Sequence, residues 1–181
     1  MKPLSDLARV LVSEKDIQHR VCQLASQIGN DYQETKELLL VSILRGAFIF
    51  TADLTRQLRV DHSMDFIALT SYSKSASSGE VRMISDLRES AKGKHILIIE
   101  AIVDSGTPLN YLARLFKDRS PASVRTCLMV AKERRHQPDV HYQGFTIPDV
   151  WVVGYGLDYD NRYRNLPYIA ELKPEVYTLH R

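Results

Sequence analysis

A chain of 181 residues, 44% of them hydrophobic and 25% charged, has the size and composition of one soluble globular domain, able to bury about 70% of the surface its unfolded form exposes. A formal net charge of +2 is too small to imply a nucleic-acid or membrane partner, and no apolar run has the length of a signal-peptide core or a membrane span. Cys22 and Cys127, the two cysteines, sit in apolar-periodic surroundings and read as buried thiols of a cytoplasmic protein rather than as a disulfide.

Neither a repeat nor an interdomain linker is apparent, so residues 1–181 are read as a single domain. Ser13 caps a helix from about Glu14 to Gly29, whose Ile17, Val21, Leu24, Ala25 and Ile28 share one face. Leu38 to Leu44 form an apolar strand, followed by a helix from Gly46 to about Leu58. His62 to Ser71 read as another strand. Ser71 to Gly79 hold five serines in nine residues without apolar periodicity, which predicts a polar loop. Met83 to Leu87 return as the strand's partner in a long hairpin. Ile96 to Ile99 are a short β-branched run of the kind buried on both faces of a parallel sheet. A helix then runs from Thr107, an acceptable N-cap, through Pro108 to Phe116, with Leu109, Leu112, Ala113 and Phe116 as its buried stripe. Strands are predicted at Arg125 to Ala131, at Val150 to Tyr155 beyond a basic turn, and near Tyr168 to Leu172. Strands alternating with helices predict an α/β fold with a parallel, right-handed sheet.

The chemistry concentrates between His95 and Leu112, HILIIEAIVDSGTPLNYL. Glu100 stands where the apolar strand ends, and Asp104 leads into the small-residue turn Ser105-Gly106-Thr107. A carboxylate accepts hydrogen bonds from sugar hydroxyls, while a glycine-containing turn ahead of a helix aims N–H groups and the positive end of the helix dipole at a phosphate. A plain strand, turn and capped helix would account for Thr107 to Phe116. It would not account for two acids bracketing a strand end, where burial costs several kcal/mol unless they are paired or ligated. A sugar-phosphate site is therefore expected beyond the carboxyl ends of the strands, where open parallel sheets bind ligands. Rival motifs fail on specifics. There is no Walker A spacing, Gly154-x-Gly156 lacks the third glycine of a dinucleotide fingerprint, Asp158-x-Asp160 lacks the rest of a calcium loop, and no serine occupies a Gly-x-Ser-x-Gly turn.

These residues resemble the phosphoribosyl-pyrophosphate (PRPP) motif of the type I phosphoribosyltransferases, and further segments resemble their hypoxanthine (6-oxopurine) branch. Those segments are LLVSILRGAFIFTADL at Leu39 to Leu54, Ser71-Tyr72, Lys132, and VWVVGYGLDYDNRYRNL at Val150 to Leu166. The resemblance implies a parallel twisted sheet flanked by helices, with a small hood built from the chain ends. It implies purine salvage by transfer of the phosphoribosyl group from PRPP to hypoxanthine or guanine, with Mg2+ as cofactor and a homodimer or homotetramer as the assembly. By the same resemblance, Glu100 meets the ribose hydroxyls and the metal. Ser105, Gly106 and Thr107 hold the 5′-phosphate, and Asp104 accepts a proton near purine N7. Leu44, Arg45 and Gly46 form a pyrophosphate loop, often with a cis peptide at Leu44-Arg45, and Arg164 also reaches pyrophosphate. Trp151 stacks on the base, Val152 offers it backbone groups, Lys132 donates to its exocyclic O6, Asp158 binds magnesium, and Ser71-Tyr72 belong to a catalytic lid.

Two positions depart from the family pattern. Ala101 stands where a second acid is usual beside Glu100, and Pro108 replaces a threonine of the phosphate loop. These departures, with the basic run Lys132-Glu133-Arg134-Arg135, define an alternative: a regulatory or nucleic-acid-binding relative with weak or no turnover.

Overall fold

The computed structural model describes residues 5–71, 81–103, 107–133 and 140–178. The chain enters through a strand, β1 (Leu7–Val12), and turns at Ser13 into α1 (Glu14–Asp31). The Ser13 hydroxyl oxygen accepts a hydrogen bond from the Asp16 N–H at 3.2 Å, satisfying a donor that the first helical turn leaves without a partner. The predicted apolar stripe is the buried face of this helix.

The strands β2 (Leu38–Leu44), β3 (Ser63–Ser71), β4 (Val81–Ser85), β5 (His95–Val103), β6 (Ser123–Lys132) and β7 (Tyr142–Ile147) form a six-stranded sheet in the order β4-β3-β2-β5-β6-β7. All neighbouring pairs are parallel except β3 with β4, the predicted hairpin partners. The helices α1 and α2 (Phe48–Gln57) cover one face, over Leu38, Leu40, Leu97 and Ile99. The helix α3 (Thr107–Lys117) covers the other through Leu109, Leu112 and Phe116, against Leu39, Val41, Ile96 and Ile98. Residues of β2 and β5 thus alternate between two apolar clusters, which is why both strands read as continuous hydrophobic runs. Ser42 is the polar interruption in β2, and its hydroxyl pairs at 2.7 Å with that of Thr51, equally buried on α2.

The chain ends build the hood. β8 (Val152–Val153) and β9 (Ile169–Leu172) join β1 in a three-stranded antiparallel sheet of order β1-β9-β8, and α4 (Pro174–Thr178) follows. The strand expected from Val150 to Tyr155 is therefore cut to two residues. Gly154 at φ 99° and Tyr155 at φ 51° turn the chain out of the extended region, and Gly154 and Leu157 exchange N–H···O bonds at 3.0 Å across that turn.

Other expectations need correction. β5 does not end at Glu100 but continues to Val103, because Glu100, Ile102 and Val103 keep their pairing with Leu128, Val130 and Ala131 of β6. The segment Tyr142–Ile147 is a strand rather than part of a turn. At its Gly144 a Cβ would stand 2.2 Å from the Met129 carbonyl oxygen, so glycine is what lets β7 approach β6. Cys127 is buried, but Cys22 is exposed, one position round the helix from Val21 and off the apolar stripe. On the β7 edge, Arg20 of α1 donates from Nε to the Gly144 carbonyl at 3.1 Å and from Nη2 to that of Gln143 at 2.6 Å.

The hood depends on Gly154. A Cβ there would lie 2.0 Å from the Tyr168 carbonyl oxygen at a backbone angle that side chains rarely adopt. Gly154→Ala is expected to lower the unfolding free energy by about 1–3 kcal/mol from backbone strain alone, as read by urea denaturation of the two proteins side by side.

Candidate functional site

Parallel alignment brings the carboxyl ends of β2, β5 and β6 to one edge, and a cavity of about 760 Å³ opens between that edge and the hood. Leu44, Arg45 and Gly46 line it from the end of β2, Glu100 and Ile102 from β5, and Lys132 from the end of β6. Trp151, Val152, Asp158 and Arg164 line it from the hood side. Nine of the residues singled out in the sequence thus meet around one space.

Glu100 is the acid of the sheet edge. Its side chain borders the cavity and is not wholly shielded from solvent, yet protein crowds its carboxyl, and that burial raises its pKa from 4.5 to about 8. The backbone N–H groups of Ala101 and Ile102 act in the opposite sense, the first donating to Oε1 at 2.8 Å. Ala101 itself is 2% exposed and belongs to the apolar cluster under α1 and α2, so the side chain at this position faces the core.

The peptide bond between Leu44 and Arg45 is cis. Gly46 leaves room: a Cβ there would meet Ala101, Leu157 and Glu100 only at ordinary contact distances of 3.7–3.9 Å. Each of two cavity cations is matched with an acid. Arg164 pairs with Asp158 at 2.7 Å and donates from Nη1 to the Gly156 carbonyl at 2.7 Å, while Lys132 pairs with Asp149 at 3.3 Å. The other Asp158 oxygen accepts from the Asn161 N–H at 2.8 Å. Arg162, by contrast, is solvated. The loop carrying Asp158 is tied to α2 by Tyr155, whose hydroxyl donates to Asp53 at 2.8 Å. Burial and that carboxylate together push the Tyr155 pKa far up.

Trp151 is 46% exposed, and Val152 beside it is buried in β8. Thr107 is the first residue of α3, and Ser71 the last of β3. Asp104, Ser105, Gly106 and Tyr72 lie outside the described residues, as does the rest of the polar loop after Ser71. Sequence reasoning missed Ala68, Leu69, Ile84, Asp149, Leu157 and Tyr177, which also line the cavity. Leu157 stands inside the segment Val150 to Leu166 and Asp149 directly before it, so these two lay close enough to a motif to be suspected.

The family model described as Phosphoribosyl transferase domain matches residues 12–160. The hypoxanthine-guanine phosphoribosyltransferase of Dictyostelium discoideum is 44% identical over 174 residues, covering 93% of this chain and 97% of its own. That of Bacillus subtilis is 45% identical over 175 residues, covering 95% and 97%. Among solved structures, a mutant hypoxanthine phosphoribosyltransferase from Trypanosoma cruzi, complexed with the product IMP, superimposes with a TM-score of 0.90 at 40% identity over 100% of this chain and 99% of that one. A hypoxanthine phosphoribosyltransferase from Staphylococcus aureus gives 0.90 at 42% identity, over 98% of both.

The raised pKa of Glu100 has a stability consequence. Between about 4.5 and about 8 the folded state keeps a proton that the unfolded chain releases, so this group makes the ligand-free protein less stable as pH rises through that window. Glu100→Gln is expected to flatten this decline in thermal melts across the same window. Parallel melting curves for the two proteins would contradict the assignment.

Proposed function

The chain belongs to the phosphoribosyltransferase family, in company with hypoxanthine-guanine enzymes, and from that premise we propose how its cavity moves the 5-phosphoribosyl group from PRPP to hypoxanthine. The supporting observation is the meeting, around one cavity between sheet edge and hood, of an acid, basic side chains and an exposed aromatic drawn from distant parts of the chain. A base nitrogen forms a bond to the ribose anomeric carbon as the bond to pyrophosphate breaks, giving IMP from hypoxanthine, or GMP from guanine. Positive charge on the sugar ring grows and then decays during the exchange.

Glu100 accepts hydrogen bonds from the ribose hydroxyls. Ser105, Gly106 and Thr107 take the 5′-phosphate at the start of α3, where N–H groups and the helix dipole favour an anion. Arg45, with the Leu44-Arg45-Gly46 backbone, and Arg164 face the pyrophosphate, Arg164 exchanging Asp158 for phosphate oxygens. Asp104 accepts the proton that the attacking ring gives up, and Ser71-Tyr72 close the site against water. Trp151 offers the base its ring, and Val152 its backbone groups. Lys132 donates to the exocyclic oxygen of a 6-oxopurine, an arrangement that leaves the amino group of adenine mismatched. The Mg2+ that such a reaction calls for fits the hard carboxylate oxygens of Asp158 and Glu100, since this ion takes one or two protein carboxylates and completes its shell with phosphate oxygens and water. It would neutralise charge on the departing pyrophosphate.

The alternative of a nucleic-acid-binding relative finds no support in Lys132, which is largely shielded and paired with Asp149 rather than solvated. Arg134 and Arg135 lie outside the described residues. No helix among the described residues is long and apolar enough to cross a membrane, and the reading places the protein in the cytoplasm. It also includes a homodimer or homotetramer. Met64 and Phe66, 46% and 38% exposed, align with Leu40 and Ser42 on the sheet face that bears α1 and α2, and form an apolar surface suited to a second copy.

Incubation with PRPP, Mg2+ and each purine is expected to yield IMP from hypoxanthine and GMP from guanine, with adenine a poor substrate. Absence of nucleotide from both 6-oxopurines would refute the activity. Sedimentation velocity at micromolar concentration is expected to show a dimer or tetramer, and a lone monomer peak would refute the assembly.

A further inference from the structure

Trp151 is the only tryptophan of the chain, and it reaches the cavity wall from the edge of a two-residue strand. A large ring left 46% exposed has few core contacts to fix its plane. Two tyrosines fix it. The ring of Tyr177 stacks on the indole with centroids 5.4 Å apart and planes 24° apart, while Tyr159 meets it edge-on at 5.5 Å and 87°. Tyr177 itself lines the cavity, whereas Tyr159 does not.

The backbone holds Tyr177 to this position. The Leu172 N–H donates to the Trp151 carbonyl at 2.8 Å, so the end of β9 is fastened to the residue that bears the indole. The short helix α4 then brings Tyr177 back over the ring. Its first turn is closed by the Val176 N–H donating to the Lys173 carbonyl at 3.0 Å and by the Thr178 hydroxyl donating to that of Pro174 at 2.8 Å. The Tyr159 hydroxyl donates to the Val176 carbonyl at 3.4 Å, joining the second tyrosine to the same helix. Val176 and Tyr177 also pack against the apolar centre of the hood.

We propose that Tyr177 is a positioning residue for the base: by stacking on Trp151 it sets the plane of the indole against which the purine lies, and it has no part in holding PRPP. This rests on the reading of Trp151 as the platform for the base. An offset-stacked pair contributes enough that its loss is worth about two- to tenfold in an equilibrium constant.

The test uses the full chain in four forms: wild type, Tyr177→Leu, which keeps apolar bulk without the ring, Tyr177→Phe, which keeps the ring without the hydroxyl, and Trp151→Ala. KM is measured for hypoxanthine at saturating PRPP and for PRPP at saturating hypoxanthine, together with the fluorescence of the single tryptophan in the first three. Tyr177→Leu is expected to raise KM for hypoxanthine about two- to tenfold, to leave KM for PRPP unchanged, and to shift the tryptophan emission. Tyr177→Phe is expected to retain the wild-type values of all three. A change in hypoxanthine KM below twofold in Tyr177→Leu, an equal rise in both KM values, or a defect as large in Tyr177→Phe would overturn the proposal. Trp151→Ala separates the two readings. If it leaves hypoxanthine KM unchanged, the platform reading itself fails; if it raises that KM while Tyr177→Leu does not, only the role of Tyr177 falls.

Discussion

The cavity depends on where three parallel strands stop. β5 lies between β2 and β6, with both of its edges hydrogen-bonded and Ile96 to Ile99 fully enclosed between the two helical layers. Apolar side chains alternating between the layers make a shift of register by one residue prohibitive, because it would send every one of them to the opposite face. That constraint, set inside the sheet, decides what happens outside it. Leu44 and Lys132 end their strands at the same edge, Glu100 lies near that end of β5, and a site assembles from residues that share no local sequence.

Charge at this edge is arranged in opposed pairs. Arg164 has Asp158, and Lys132 has Asp149. A charged group withdrawn from water in the absence of ligand needs such a partner, since unpaired burial costs more than the pair returns in attraction. Glu100 differs. No basic side chain contributes to its pKa, which burial sets against two backbone N–H groups. An acid so placed gains most from a ligand that brings hydroxyls or a cation to it, whereas the paired groups must exchange one partner for another.

Much of this could be read from the residues themselves. Strand ends and helix starts carry local signals, so the Ser13 cap, the continuous apolar run at Leu38 to Leu44, and the acid after Ile99 pointed to the layers of the sheet and to the edge where the cavity opens. What escaped was non-local. The need for Gly144 shows only when the Met129 carbonyl oxygen of β6 is seen 2.2 Å from where a Cβ would stand. β1 finds its partner, β9, at the far end of the chain. Cys22 reads as a buried thiol from its apolar-periodic surroundings, but a single helical step from Val21 leaves it exposed. Ala101 looked like a gap in a binding motif, although its side chain faces the core. Tyr177 carried no signal at all, because its importance comes only from the ring on which it stacks.

One contact bears on the life of the protein before any substrate arrives. β7 is the last strand of the sheet, and an outer strand offers unpaired backbone to any extended segment that drifts past, whether from a nascent chain or from a damaged neighbour. Arg20 places its guanidinium on the Gln143 and Gly144 carbonyls, so part of that edge is already engaged and carries a positive charge. A helix that packs the core therefore also occupies acceptors of the outer strand, and fewer of them are left for a strand-to-strand contact.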